Sequence, residues 1–146
     1  MTLRRIVFAF LLVATSLAAR AAQGEPDELL VRQAVERYLH GLKFNDVADF
    51  KAVFERDAKL YFVKKDGSAG QLTQEQWYKG FEGSAGKQEE GALAIVAIDI
   101  TGNAAAVKVR EDYPNAIYTD YLTLLKLPAG WRIVNKVYFG ERRVKP

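Results

Sequence analysis

Ile117 to Lys126 (IYTDYLTLLK), the turn Leu127-Pro128-Ala129-Gly130 and Trp131 to Phe139 (WRIVNKVYF) form the stretch on which the fold turns. Both arms are rich in β-branched and aromatic residues, and Pro-Ala-Gly between them is turn chemistry, so the segment predicts an antiparallel hairpin. A four-residue loop pairs Lys126 with Trp131 and, without interruption, Leu122 with Asn135. One face then carries Tyr118, Asp120, Leu122 and Leu124 beside Trp131, Ile133, Asn135 and Val137. The opposite face carries Thr119, Tyr121, Thr123 and Leu125 beside Arg132, Val134, Lys136 and Tyr138. Side chains alternate across a strand, so this register decides which residues enter the core.

Upstream, Ala92 to Ile100 and Ala104 to Asp112 flank Thr101-Gly102-Asn103, a second hairpin. Its regular register sets Ile100, Ile98 and Val96 against Ala105, Val107 and Val109 on one side. Ile95, Ala97, Asp99, Ala106, Lys108 and Arg110 fall on the other. Ala58 to Val63 reads as an earlier strand, and Asp66-Gly67 as a turn.

The preceding region is helical. Leu30, Val31, Ala34, Val35, Tyr38, Leu39 and Leu42 recur at helical spacing, predicting an amphipathic helix over Asp27 to Leu42. Lys43-Phe44-Asn45-Asp46 breaks it, and Asn45 or Asp46 caps a second helix bearing Val47, Phe50, Val53 and Phe54. Thr73 with Gln76 is a capping box opening a third helix with Leu72, Trp77, Tyr78 and Phe81. Glu82 to Gly91, with three glycines, reads as a mobile loop. The class is α+β: three helices on one side of a curved, mainly antiparallel sheet.

Residues 1–21 have the form of a secretory signal. Arg4 and Arg5 precede a 12-residue apolar run, Ile6 to Leu17, and Ala19-x-Ala21 offers a cleavage site. The pattern fits general secretion better than a twin-arginine route, and the expected location is periplasmic or secreted. The run is too short for a bilayer of about 30 Å, so no stable membrane insertion is expected. The remaining 22–146 make a single domain. Cleavage removes Arg4, Arg5 and Arg20 from 21 basic residues, leaving 18 against 18 acidic ones. A neutral domain gives no electrostatic footprint for nucleic acid. With no cysteine and one histidine, thiolate chemistry and multi-histidine metal sites are excluded. The chain has no glycine-rich phosphate loop and no paired-carboxylate metal spacing, so neither a metal nor a cofactor is expected.

Three segments carry a family resemblance: Tyr38-Leu39-His40-Gly41-Leu42, Asp99-Ile100-Thr101-Gly102-Asn103-Ala104-Ala105, and the closing hairpin. Together they resemble the nuclear-transport-factor-2-like superfamily, most of all its "putative lumazine-binding" branch, over Asp27 to Phe139. Relatives often place a histidine-proline pair after the second helix, where this chain has Glu55-Arg56. The resemblance implies a cone-shaped fold with a pocket between the concave sheet face and the helices, and dimers through the outer face. The superfamily holds isomerases, dehydratases, polyketide cyclases and non-enzymatic binding or assembly modules, so the fold leaves function open.

Asp120 is the candidate catalytic residue. On the face shared with Leu122, Leu124, Trp131 and Ile133 it is expected to lose hydration and gain a raised pKa. Tyr118 and Asn135 share that face as hydrogen-bonding neighbours, and Tyr38, Trp131 and Asp120 complete the candidate ligand-binding set. An acid, a tyrosine and an amide in an apolar cone resemble the layout of proton-shuttling isomerases. A purely structural aspartate is the competing reading. His40 lies off the apolar stripe and reads as a surface residue; Glu111 is placed near the pocket mouth, though the turn beside it argues more for a solvated residue. The first functional reading is an exported domain for a small hydrophobic or aromatic ligand. The second is an isomerase or dehydratase using Asp120 as general acid and base. The third is a dimerisation or accessory module whose cavity is filled by Trp131, Phe50, Phe81 and Tyr38. Thr119, Tyr121, Thr123, Val134 and Tyr138 make an outer face suited to a homodimer.

Overall fold

The computed structural model describes residues 26–144; the leader lies outside the described residues. Helix α1 (Asp27–Phe44) forms because Val31, Val35, Tyr38 and Leu42 line one face, and all four are buried. Asp27 and Glu28 in its first turn complement the helix dipole. Asn45 ends it in the left-handed conformation (φ 54°), and the Asp46 N–H reaches back to the Gly41 carbonyl at 2.9 Å. The Asp46 side chain then accepts from Ala48 N at 2.8 Å and opens α2 (Val47–Val53). Gly41 is required where α1 crosses α2, because a Cβ there would meet the Phe50 ring.

Strand β1 (Phe54–Val63) leaves α2 directly and turns at Gly67 into β2 (Ala69–Thr73). Asp66 holds that turn by accepting from Ser68 N and Oγ. Leu72, expected on the third helix, belongs to β2 instead. The Thr73–Gln76 capping box forms as expected and opens α3 (Gln74–Tyr78), followed by a 3₁₀ segment over Lys79–Ser84. Thus part of the expected loop is helical, and the rest is tied down. The Gly86 and Glu89 N–H groups donate to the Phe44 and Lys43 carbonyls at 2.9 and 2.8 Å.

Strands β3 (Ala92–Thr101), β4 (Ala104–Tyr113), β5 (Ala116–Leu127) and β6 (Gly130–Arg142) form an antiparallel meander. The six-stranded sheet runs β2-β1-β6-β5-β4-β3, with β1 parallel to β6. The helices cover one face. Val107, Val109, Leu122, Leu124 and Ile133 meet Val31, Val35, Phe50 and Phe54 there in a single core. Burying each such side chain contributes about 1.5–3 kcal/mol.

Both hairpins keep the expected register near their turns and lose it beyond a β-bulge. In β3 the shift falls between Ile95 and Ala97, so Ile95, not Val96, lies opposite Val109. Val96 is exposed as a result. In β6, Leu124 pairs with Ile133 as expected, but Thr123 pairs with Asn135 and Leu122 with Lys136. The inner row is therefore Trp131, Ile133, Lys136 and Tyr138, while Asn135 and Val137 join the outer one. An extra residue in one strand inverts the facing of everything after it.

Candidate functional site

The β6 bulge brings a lysine into the cone. Lys136 is 4% exposed, lies beside Leu122 on β5 and Leu60 on β1, and reaches under α1. Its Nζ donates to Tyr38 Oη at 2.6 Å and to Asp120 Oδ2 at 2.7 Å. Tyr38 Oη in turn donates to Asp120 Oδ2 at 2.5 Å. Glu111, on the inner row of β4 with Ala105, Val107 and Val109, lies 3.8 Å from Lys136 Nζ and is 4% exposed. Two carboxyl groups and one ammonium thus share a dry site, and a buried charge of this kind persists only when it is paired.

The site resolves that imbalance with a proton. Burial drives the Glu111 carboxyl up to about 8, with the hydrogen bond and charge of Asp120 adding to it and Lys136 opposing. Burial also pulls Asp120 upward, but the Lys136 charge and hydrogen bonds from Glu111, Lys136 and Tyr38 outweigh it, so its pKa is lowered. The raised pKa expected at Asp120 is found at Glu111 instead, because the inward lysine sits on Asp120. Asp120 Oδ1 is buried without a donor among the polar contacts of the described residues. A protonated Glu111 beside Asp120 carries a hydrogen that this carboxylate can accept. Near neutral pH the cluster is therefore Asp120 anion, Lys136 cation and neutral Glu111, with no net charge. Lys136 is held above its ordinary value: burial works against it, but Asp120 and Glu111 prevail. Burial, then the charges of Asp120 and Glu111, pushes the Tyr38 hydroxyl well upward, so it stays a donor.

Over this floor opens a pocket of about 730 Å³, within the roughly 300–1,000 Å³ usual for small-molecule sites. Glu111 and Lys136 lie at its base, and Trp77, Phe81, Tyr118 and Tyr138 form much of its wall. Glu89 and Glu90 stand in the lining contributed by the 85–91 loop. Asn45 fixes that loop: its Nδ2 donates to the Lys87 carbonyl at 2.8 Å and to Glu89 Oε1 at 2.9 Å, and its Oδ1 accepts from Ser84 Oγ at 3.1 Å. The residue that ends α1 therefore also shapes the pocket mouth.

Of the residues expected in the site, Tyr118 lines the pocket, while Asp120 and Tyr38, both fully buried, lie in the hydrogen-bonded layer beneath it. Trp131 is buried at the far end of the hairpin, donating to Asp27 Oδ1 at 3.1 Å. Asn135 pairs with Thr123 and Lys59 on the outer row, away from Asp120. Lys136 and Tyr138 are the site residues that sequence reasoning missed, and Glu111, weighed near the pocket mouth, was passed over in favour of solvent. Strict alternation along β4 already set Glu111 beside Val109; the nearby turn argued wrongly for solvent. Nothing local marks the bulge. The unbulged row Trp131-Ile133-Asn135-Val137 is more apolar than the true one.

Elsewhere, His40 is exposed, as expected, and its Nδ1 lies 2.5 Å from Asp49 Oδ2. His40, Asp46 and Asp49 bring ligand-type atoms within 4.8 Å of one another. Arg37 already holds Asp49 Oδ1 at 2.8 Å, and Asp46 caps α2, so these groups have structural partners. A second depression of about 840 Å³ lies between α2 and α3, lined by Phe54, Tyr78 and Arg132. The Arg132 guanidinium there is committed to the Ala52, Lys51 and Phe54 carbonyls. No helix among the described residues is long and apolar enough to cross a membrane.

A helix-covered, bulged, six-stranded sheet with a pocket at its open end defines the nuclear-transport-factor-2-like class. Solved structures share it. An NTF-2-like protein of unknown function from Silicibacter pomeroyi is 23% identical, with a TM-score of 0.67 over 79% of this chain and 94% of that one. A similar protein from Shewanella baltica is 23% identical, with a TM-score of 0.71 over 78% and 93%. Another, from Methylobacillus flagellatus, is 21% identical, with a TM-score of 0.67 over 84% and 97%. Within that class, residues 26–139 match the model of the family described as "putative lumazine-binding", and the chain belongs to that family. No curated protein matches it.

Proposed function

We propose that the protein is an exported domain that binds a small, flat ligand in the pocket above Glu111 and Lys136. The observation that carries this reading is the pocket itself: about 730 Å³ remains open beneath aromatic walls, with buried charged chemistry at its base. An accessory module with a vestigial cavity would have filled that space with its aromatic residues. Here Phe50 and Tyr38 pack in the core below, and Phe81 stands in the wall.

The signal-like residues 1–21 support export, with the mature chain starting at Ala22. The outer sheet face supports a homodimer: Tyr121, Leu125, Val137 and Phe139 are all exposed there, too much apolar surface to leave in water. Tyr138, expected on that face, lies on the inner row and lines the pocket.

An isomerase or dehydratase is the second reading, and Glu111 is what favours it. A carboxyl titrating at about 8 beside a pocket is matched to proton transfer near neutral pH. In that case Glu111 exchanges the proton, and Asp120, buried beneath it, positions it.

Native mass spectrometry of mature protein from the extracytoplasmic fraction tests the binding reading. A co-purifying small molecule is expected, or, from stripped protein, retention of lumazine or of plain naphthalene. Protein that carries nothing and retains neither probe at millimolar concentration would sink it.

A further inference from the structure

The floor chemistry narrows the class of ligand; this step rests on the binding reading above. Lys136 uses two of its three ammonium N–H groups on Tyr38 and Asp120, leaving one at the base of the pocket. The Tyr118 and Tyr138 hydroxyls line the same space and make no hydrogen bond among the described residues. With Glu111 neutral, its proton is available to the neighbouring Asp120 carboxylate. The floor thus offers an incoming molecule one ammonium N–H, which can only donate, and two tyrosine hydroxyls free to donate beside it.

Charge sharpens the point. Aromatic faces beside acidic groups attract organic cations. Here those faces already have a cation: Lys136 Nζ lies 5.1 Å from the Trp77 ring centroid, 5.0 Å from Tyr138 and 5.3 Å from Tyr38. A second positive charge would be repelled by the first at close range. At the mouth, Glu89 and Glu90 oppose a multiply charged anion. The aromatic walls favour a flat ring.

We infer that the pocket selects a flat ring compound bearing a carbonyl-type acceptor oxygen, neutral or singly anionic, with that oxygen seated on Lys136 Nζ. A cation on these rings would lie against the Lys136 ammonium and a polyphosphate against Glu89 and Glu90, so the arrangement disfavours both. An acceptor-free ring leaves the ammonium donor facing an apolar surface, and an unpaired buried donor is costly.

Three probes of one shape test this: naphthalene, acetonaphthone and naphthylmethylammonium. Each is titrated into the mature protein, and into the Lys136→Met/Asp120→Asn double variant, by calorimetry. In the wild type the ketone should bind about tenfold or more tightly than the hydrocarbon, and the ammonium most weakly. In the double variant, which removes both ends of the buried pair, naphthalene should bind at least as tightly as before and the ketone should lose its advantage over it. A cation that binds as well as the ketone overturns the inference, as does a ketone advantage that survives in the double variant. The wild-type ordering decides even if the double variant does not fold. If naphthalene binds and the ketone gains nothing, the pocket reading stands and the acceptor inference falls. If none of the three binds, both fall.

Discussion

Replacing Glu111 with glutamine should flatten the dependence of stability on pH. Folded, the Glu111 carboxyl titrates at about 8; its ordinary value is 4.5. Folding thus raises its affinity for a proton, and the stabilisation is complete below about 4.5. It is lost as pH rises through about 8, because between those values the unfolded chain has released a proton that the folded chain still holds. At 1.36 kcal/mol per unit, the gap amounts to roughly 3 to 5 kcal/mol, and most of it disappears between about pH 5 and 8. Glutamine keeps the size of the neutral acid and still offers an N–H to the Asp120 carboxylate, but it cannot ionise. The assay is urea denaturation of wild type and Glu111→Gln at a series of pH values in that interval. The variant should gain about 3 kcal/mol relative to wild type from the acid to the alkaline end. Parallel stability curves would show that Glu111 does not hold the buried proton, and the neutral floor would be refuted.

Lys136→Met should cost about 3–5 kcal/mol by leaving Asp120 buried and unpaired, while adding Asp120→Asn should recover most of the loss; calorimetric melting compares the two. Asn45→Ala removes the hydrogen bonds to Lys87, Glu89 and Ser84, so amide exchange should accelerate over residues 85–91, with about 1–3 kcal/mol of stability lost; unchanged protection there would contradict the role given to Asn45. Tyr121→Glu at the centre of the outer face should yield monomers in sedimentation from a dimeric wild type; a wild type already monomeric at micromolar concentration would end the dimer proposal. Amino-terminal sequencing of extracytoplasmic protein should begin at Ala22, and intact Met1 in the cytoplasm would oppose export.

The sequence by itself determined what local rules govern. The stripe Val31-Val35-Tyr38-Leu42 needs only helical periodicity, Thr73 with Gln76 only a capping box, and each hairpin register near its turn only the turn length. Asp120 followed from the same logic, since β5 contains no bulge and its alternation from Tyr118 to Leu124 is kept. Tertiary structure decided the rest. A bulge changes facing at a modest local cost, and its benefit lies far away in the chain. Lys136 turns inward because Asp120 and Tyr38, the latter 98 residues distant, are there to receive it. Read along its own strand, Lys136 looks like a surface residue, because hydropathy counts the cost of burying an ammonium and cannot see its partners. The same holds for the proton on Glu111: two carboxyl groups and one ammonium must be enclosed together before desolvation and charge can assign it. The elements were written locally, whereas the chemistry of the pocket floor arises only where three strands and a helix converge.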